Sequence, residues 1–134
     1  MAATQKRILI VDDDEGVRHI LRRALETAGY EVREASDGAA GLNRFREHRP
    51  DLVMTDIIMP EREGVETIMV LRKESPETAI IAMSGGGGGG GGADYLEMAI
   101  KLGAVRVFSK PFSLAAVVGA VHEILKGVEG PGPA

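Results

Sequence analysis

Leu52-Val53-Met54-Thr55-Asp56-Ile57-Ile58-Met59-Pro60 decides the fold, because it carries an apolar run to a single carboxylate and then into a proline turn. A strand of near-continuous apolar character is what a parallel sheet covered on both faces requires. In open sheets of that kind, ligands bind beyond the carboxyl ends of the strands, and Asp56 is expected there. Two further segments share the form. Ile8-Leu9-Ile10-Val11 runs into Asp12-Asp13-Asp14, and Val105 to Phe108 runs into Ser109-Lys110-Pro111. Carboxylates and a lysine are therefore expected to converge on one edge of the sheet.

Outward from these runs, helices and strands alternate. Val17, Ile20, Leu21, Ala24, Leu25 and Ala28 recur at helical spacing up to Gly29, with Asp14 as N-cap. Arg18, Arg22, Arg23 and Glu26 fall off that stripe and read as a solvated face. A short strand from Tyr30 to Ala35 gives way at Ser36-Asp37-Gly38 to a second helix, with Leu42 and Phe45 inward and Pro50 after its end. Val65, Ile68, Met69 and Leu71 mark a third helix that stops before Ser75-Pro76, since the residue before proline is pushed out of helical geometry. Ala79 to Met83 is the fourth strand. After Gly85 to Gly92, helix resumes at Asp94 and Glu97, which have the spacing of a capping box, and continues through Tyr95, Met98, Ala99 and Leu102 to Gly103. Leu114, Val117, Val118, Val121 and Leu125 form the last helix, ending at Gly127. Five strands alternating with five helices predict a doubly wound α/β sandwich with a parallel sheet and right-handed crossovers. Residues 1–128 are expected to form the domain and 129–134 a flexible tail or linker stub.

Composition narrows the function classes. The chain has 134 residues, 44% hydrophobic and 27% charged, which suits one globular domain with a real core. A net charge of -4 without any Lys/Arg run argues against direct nucleic-acid binding and against an anionic membrane. No stretch has the apolar length of a membrane span, and Met1 to Arg7 lacks the apolar segment of a secretion signal. With no cysteine there is no disulfide, thiolate nucleophile or Cys-based metal site, which is compatible with the cytoplasm.

With Asp12 and Asp13 after strand one, Asp56 and Met59-Pro60 after strand three, Ser84 after strand four and Lys110-Pro111 after strand five, the chain resembles the receiver domain of response regulators in two-component signalling. The resemblance covers Arg7 to Lys126. It implies the flavodoxin-like strand order 2-1-3-4-5 and a phosphoryl group accepted on Asp56 from a histidine kinase or phosphotransfer protein. It further implies Mg²⁺ held by Asp13 and Asp56, with Asp12 nearby or through water, and by the Ile58 carbonyl. Ser84 is then the small hydroxyl residue that meets a phosphoryl oxygen, and Lys110 offsets the carboxylates. Such a domain is a phosphoacceptor that assists its own phosphorylation and dephosphorylation rather than an enzyme. Helix four, strand five and helix five are where the family docks a downstream partner or a second copy. The resemblance also implies a cis Lys110–Pro111 peptide.

Physical chemistry explains the residue types. A carboxylate can attack phosphorus, but anion then meets anion, so positive charge must lie between them. Mg²⁺ prefers octahedral oxygen donors and retains waters, which suits two carboxylates, a carbonyl and a phosphoryl oxygen. Without it, repulsion among Asp12, Asp13 and Asp56 is expected to raise at least one pKa. Taken singly, the acidic triplet could be helix N-terminal acids, Ser84 a strand-end hydroxyl and Lys110 a solvated lysine. Their shared position at successive strand ends decides for the joint reading. His19, His48 and His122 have no metal-ligand spacing and are read as surface residues.

Three features stand apart. The glycine run matches every glycine pattern trivially, lacks the Lys-Ser/Thr of a nucleotide loop and follows the fourth strand rather than the first; it reads as a linker, engineered or drifted. It is expected to be mobile and to weaken coupling to helix four. Three positions before Lys110, where the family carries an aromatic, stands Val107 with Phe108 beside it. A haloacid-dehalogenase-like phosphatase also uses an aspartate nucleophile but needs an acid two residues later, where Ile58 stands. A phosphorylation-independent interaction module is the other alternative.

Overall fold

The computed structural model describes residues 5–57, 63–84 and 97–128. The strands are β1 (Arg7–Val11), β2 (Glu31–Ala35), β3 (Leu52–Asp56), β4 (Ala79–Ser84) and β5 (Arg106–Ser109). The helices are α1 (Glu15–Thr27), α2 (Gly38–His48), α3 (Glu63–Glu74), α4 (residues 97–101) and α5 (Leu114–Val128). Ile58, Met59-Pro60, Gly85–Gly92, Asp94 and Tyr95 lie outside the described residues, as does the tail from 129.

All pairings are parallel and the order is β2-β1-β3-β4-β5, as expected. Alternation along each strand sends successive side chains to opposite faces. Ile8, Ile10, Met54, Ile81 and Met83 meet Leu21 and Leu25 of α1 and Val117, Val121 and Leu125 of α5. Leu9, Val11, Val53, Ile80 and Ala82 meet Phe45 of α2, Ile68 and Leu71 of α3, and Ala99 of α4. β3 and β4 are buried along their whole length, which is why they read as unbroken apolar runs.

Local chemistry ends the helices where the residues demand. Asp14 Oδ1 accepts from the Val17 amide and Asp37 Oδ1 from the Ala40 amide, each satisfying a donor at a helix start. Gly29 and Gly103 adopt φ of 104° and 114°. Around each, the amide two residues beyond the cap returns to the third carbonyl from the end: Tyr30 to Leu25 and Ala104 to Ala99.

Two expectations about helix faces need correction. Ile20 and Met69, read as inward, are 52% and 53% exposed. The sheet covers each helix from one side only, so only the centre of its stripe is buried: Leu21 and Leu25 in α1, Ile68 and Leu71 in α3. Arg18, read as solvated, is tucked against β2 with its side chain 14% exposed and its Nε 3.0 Å from Glu34.

Gly41 sets how closely α2 approaches β1. A Cβ there would stand 2.9 and 3.2 Å from the two methyls of fully buried Val11. Alanine normally gains about 1 kcal/mol over glycine in a helix, whereas overpacking a filled core costs about 1–3 kcal/mol. Gly41→Ala is expected to lower the thermal midpoint by a few degrees (~1 kcal/mol net). A higher midpoint would show that Val11 can move aside.

Candidate functional site

Register builds the site. Val11 pairs with Thr55, Asp56 with Met83, and Ser84 with Ser109. Asp12 therefore follows β1 beside Asp56, Ser84 follows Met83 on β4, and Lys110 follows Ser109 on β5. Two carboxylates, a hydroxyl and an ammonium thus come to one edge from the ends of four adjacent strands. The sheet reverses its winding direction between β1 and β3, which is where open α/β sheets bind their ligands.

Lys110 Nζ donates to Asp12 Oδ2 at 2.6 Å and to Asp56 Oδ2 at 2.9 Å. Asp12 and Asp56 are buried, Asp13 is exposed, and one carboxylate oxygen from each lies within 4.8 Å of the others. The Asp14 amide donates to Asp12 Oδ1 at 2.9 Å. Ser84 is buried, and its carbonyl accepts from the Lys110 amide at 2.8 Å, tying the ends of β4 and β5 together. The Lys110–Pro111 peptide is cis, as expected. Asp12, Asp13, Asp56, Ser84 and Lys110 therefore all stand where the sequence predicts; Ile58 lies outside the described residues.

The charges are unbalanced, three carboxylates against one ammonium. Burial pushes the Asp12 carboxyl above its ordinary value, and its hydrogen bonds from Lys110 and Asp14 do not offset that. The rise expected from mutual repulsion is present, yet desolvation is its main cause and Asp56 a minor one. For Lys110, burial opposes the charge and the bonds to Asp12 and Asp56 outweigh it, holding the ammonium above its usual range. Glu34, nearby on β2, is held below the usual carboxylate range: burial works the other way, but Arg22 and Arg18 together prevail. Neither Arg18 nor Glu34 was singled out from sequence as part of this region. Nothing in the spacing of residues 18 and 34 signals that they meet.

The donor set fits Mg²⁺. All three groups supply hard oxygens, two of them are buried and one opens to solvent, and the ion favours such carboxylates together with retained waters.

Asp12→Asn should raise the stability of the metal-free protein at neutral pH. A carboxyl whose pKa is raised on folding costs stability as pH rises from its unfolded value of 3.8 through its native value, and costs nothing below 3.8. The variant's advantage should therefore vanish in acid and grow toward neutrality. Adding Mg²⁺ should shift the balance back toward wild type, because the variant has lost a ligand. Thermal melts across pH, with and without the ion, measure both effects.

Phe108 and Val107 face opposite sides of the sheet. Val107 packs against the core on the side of α2, α3 and α4, while Phe108 packs on the α1–α5 side, where its ring meets that of Phe112 edge-on at 6.1 Å. Phe108 does not stand in for an aromatic at 107.

The model of the response regulator receiver domain matches residues 8–122. The chemotaxis protein CheY of Thermotoga maritima is 39% identical over 122 residues, covering 90% of this chain and 98% of that protein. The transcriptional regulatory protein PrrA of Mycobacterium tuberculosis is 35% identical over 123 residues, so this chain spans about half (51%) of that regulator. Among solved structures, a response regulator receiver domain protein from Clostridium thermocellum superposes with a TM-score of 0.83 at 28% identity, covering 92% of this chain and 97% of that one. The chain belongs to the response regulator receiver domain family. Receiver domains are phosphoacceptors of two-component signalling rather than conventional enzymes, work with histidine kinases and downstream effectors, and bind Mg²⁺ at an acidic pocket. Among the described residues, no helix is long and apolar enough to cross a membrane.

Proposed function

We propose that Asp56 is the phosphoacceptor of this receiver and that residues 1–128 constitute the working domain. The observation that carries the reading is Lys110 Nζ set between Asp12 and Asp56 at 2.6 and 2.9 Å. An Asp56 carboxylate oxygen supplies the electron pair of a new O–P bond while the P–N bond to the donor histidine breaks, its pair returning to the imidazole nitrogen. Lys110 holds the carboxylate by a hydrogen bond of 2.9 Å and offers its ammonium to the incoming phosphoryl oxygens. Ser84, at the end of β4, would donate its hydroxyl to another. Asp12, Asp13 and Asp56 would hold Mg²⁺, with the Ile58 carbonyl as a further ligand; bound there, the ion supplies the positive charge that lets two anions approach. Water attacking the same phosphorus later releases phosphate and restores the carboxylate, assisted by the same groups.

The donor is a histidine kinase or phosphotransfer protein, and the setting is the cytoplasm. Output passes through α4, β5 and α5 to a downstream protein or a second copy of the chain. A phosphorylation-independent interaction module is the second reading, supported by Val107 at the aromatic position and by Phe108 turned to the other face. Incubating the protein with acetyl phosphate and Mg²⁺ and measuring its intact mass tests the first reading. One added phosphoryl group, lost when a chelator is present throughout, is the expected result. An unchanged mass leaves the constitutive module.

A further inference from the structure

Arg18 has no part in the chemistry above, yet its guanidinium is committed on two sides. Nη1 donates to the main-chain carbonyl of Asp12 at 2.6 Å, and Nε donates to Glu34 Oε1 at 3.0 Å. The other oxygen of Glu34 accepts from Arg22 Nη1 at 3.0 Å. Arg22 otherwise bonds Glu26 on its own helix, and its side chain is 40% exposed against 14% for Arg18.

The carbonyl that Arg18 holds belongs to the Asp12–Asp13 peptide. That unit is planar, so fixing its oxygen fixes the start of Asp13 as well as the end of Asp12. On the other side of Asp12, its amide donates to the Ala35 carbonyl at 3.1 Å, next to Glu34 on β2. The turn after β1 is therefore tied to the end of β2 twice, once through backbone and once through the Arg18–Glu34 pair. A charge-assisted bond from a nearly buried guanidinium is the stronger kind of tie, with a geometry that an ammonium does not reproduce.

We propose that Arg18 is a positioning residue for the acidic pocket: by clamping the Asp12–Asp13 peptide to Glu34, it holds the Asp12 and Asp13 carboxylates at the spacing a divalent cation needs. The inference rests on the metal reading above. It differs from a plain surface ion pair in one respect, because Arg22 bonds Glu34 at the same distance but does not touch the turn.

The test uses the full chain as wild type, Arg18→Ala, Arg18→Lys and Arg22→Ala. Two quantities are measured: the Mg²⁺ dissociation constant by calorimetric titration, and amide exchange of Asp14, whose N–H bonds Asp12, in the metal-free protein. Arg18→Ala should weaken Mg²⁺ binding by about tenfold, the lower end of what losing an outer support costs, and should speed Asp14 exchange. Arg18→Lys should recover part of both, since an ammonium serves one partner but not two. Arg22→Ala, which removes the same number of bonds to Glu34, should change either by no more than about twofold. Equal weakening by Arg18→Ala and Arg22→Ala, or wild-type behaviour of Arg18→Ala, overturns the proposal. If the wild type binds no Mg²⁺, the metal reading fails and the pocket proposal with it, while unequal Asp14 exchange in the two alanine variants separates that outcome from a failure of the clamp itself.

Discussion

Asp56→Asn is expected to fold and to take up no phosphoryl group. The substitution keeps the shape of a side chain that is buried at the end of β3, so the packing around it is preserved. It replaces an anionic oxygen by a carboxamide, whose oxygen is a poor nucleophile toward phosphorus. It also removes one of three crowded carboxylates and leaves Lys110 paired with Asp12, so no buried ammonium is stranded. Stability should hold or rise, and loss of uptake cannot then be assigned to unfolding. The measurement is intact mass after incubation with acetyl phosphate and Mg²⁺, beside a thermal melt of the same sample. Uptake in the variant equal to that of wild type would place the acceptor elsewhere and end the assignment of Asp56. In the wild type the added group should be removed by hydroxylamine, as an acyl phosphate is, whereas a phosphoserine on Ser84 would resist it.

The parts of this protein legible in its sequence are those governed by backbone register. Once Ile8 to Val11, the run that ends at Asp56, Ala79 to Met83 and Val105 to Phe108 are read as parallel strands, their carboxyl ends fall in one row, which brings Asp12, Asp56, Ser84 and Lys110 to the same edge without further information. Capping was legible for a similar reason. Asp14 and the glycines at 29 and 103 act within four residues of themselves. What escaped depends on how elements lie on one another. Ile20 has the spacing of a core residue and is exposed because the sheet covers only the centre of the apolar stripe of α1. Arg18 has the chemistry of a surface residue and is largely covered because Glu34 emerges from β2 opposite it. The dominant cause of the raised Asp12 pKa belongs to the same class, since desolvation depends on what lies above the strand end and repulsion only on what lies beside it.

Lys110→Met should be the most destabilising change available at the site. The thioether fills the space of the lysine stem but carries no charge, so packing is kept while the ammonium between Asp12 and Asp56 is lost. Asp12 is fully buried and Asp56 nearly so, and the two would face each other with no cation between them. Breaking a buried pair by removing one partner costs about 3–5 kcal/mol. For a chain of this size that is a fall of roughly 10–18 °C in the midpoint, a large share of a stability that in such domains totals only about 5–15 kcal/mol. The pH dependence follows from the signs. The native pKa of Lys110 is raised, so its stabilisation is fully present below the unfolded value of 10.5 and is lost as pH rises through the native one. In alkali the two proteins should therefore converge. They should converge in acid as well, because the Asp12 carboxyl, whose pKa is also raised, takes up its proton early and leaves less charge to neutralise. Between those limits Mg²⁺ should narrow the gap, since a divalent cation bound by Asp12, Asp13 and Asp56 supplies the positive charge the variant lacks. Melts of both proteins across pH, with and without the ion, decide the matter. A pH-independent difference that Mg²⁺ leaves untouched would mean that Lys110 contributes packing rather than charge, and the electrostatic account of the site would have to be given up.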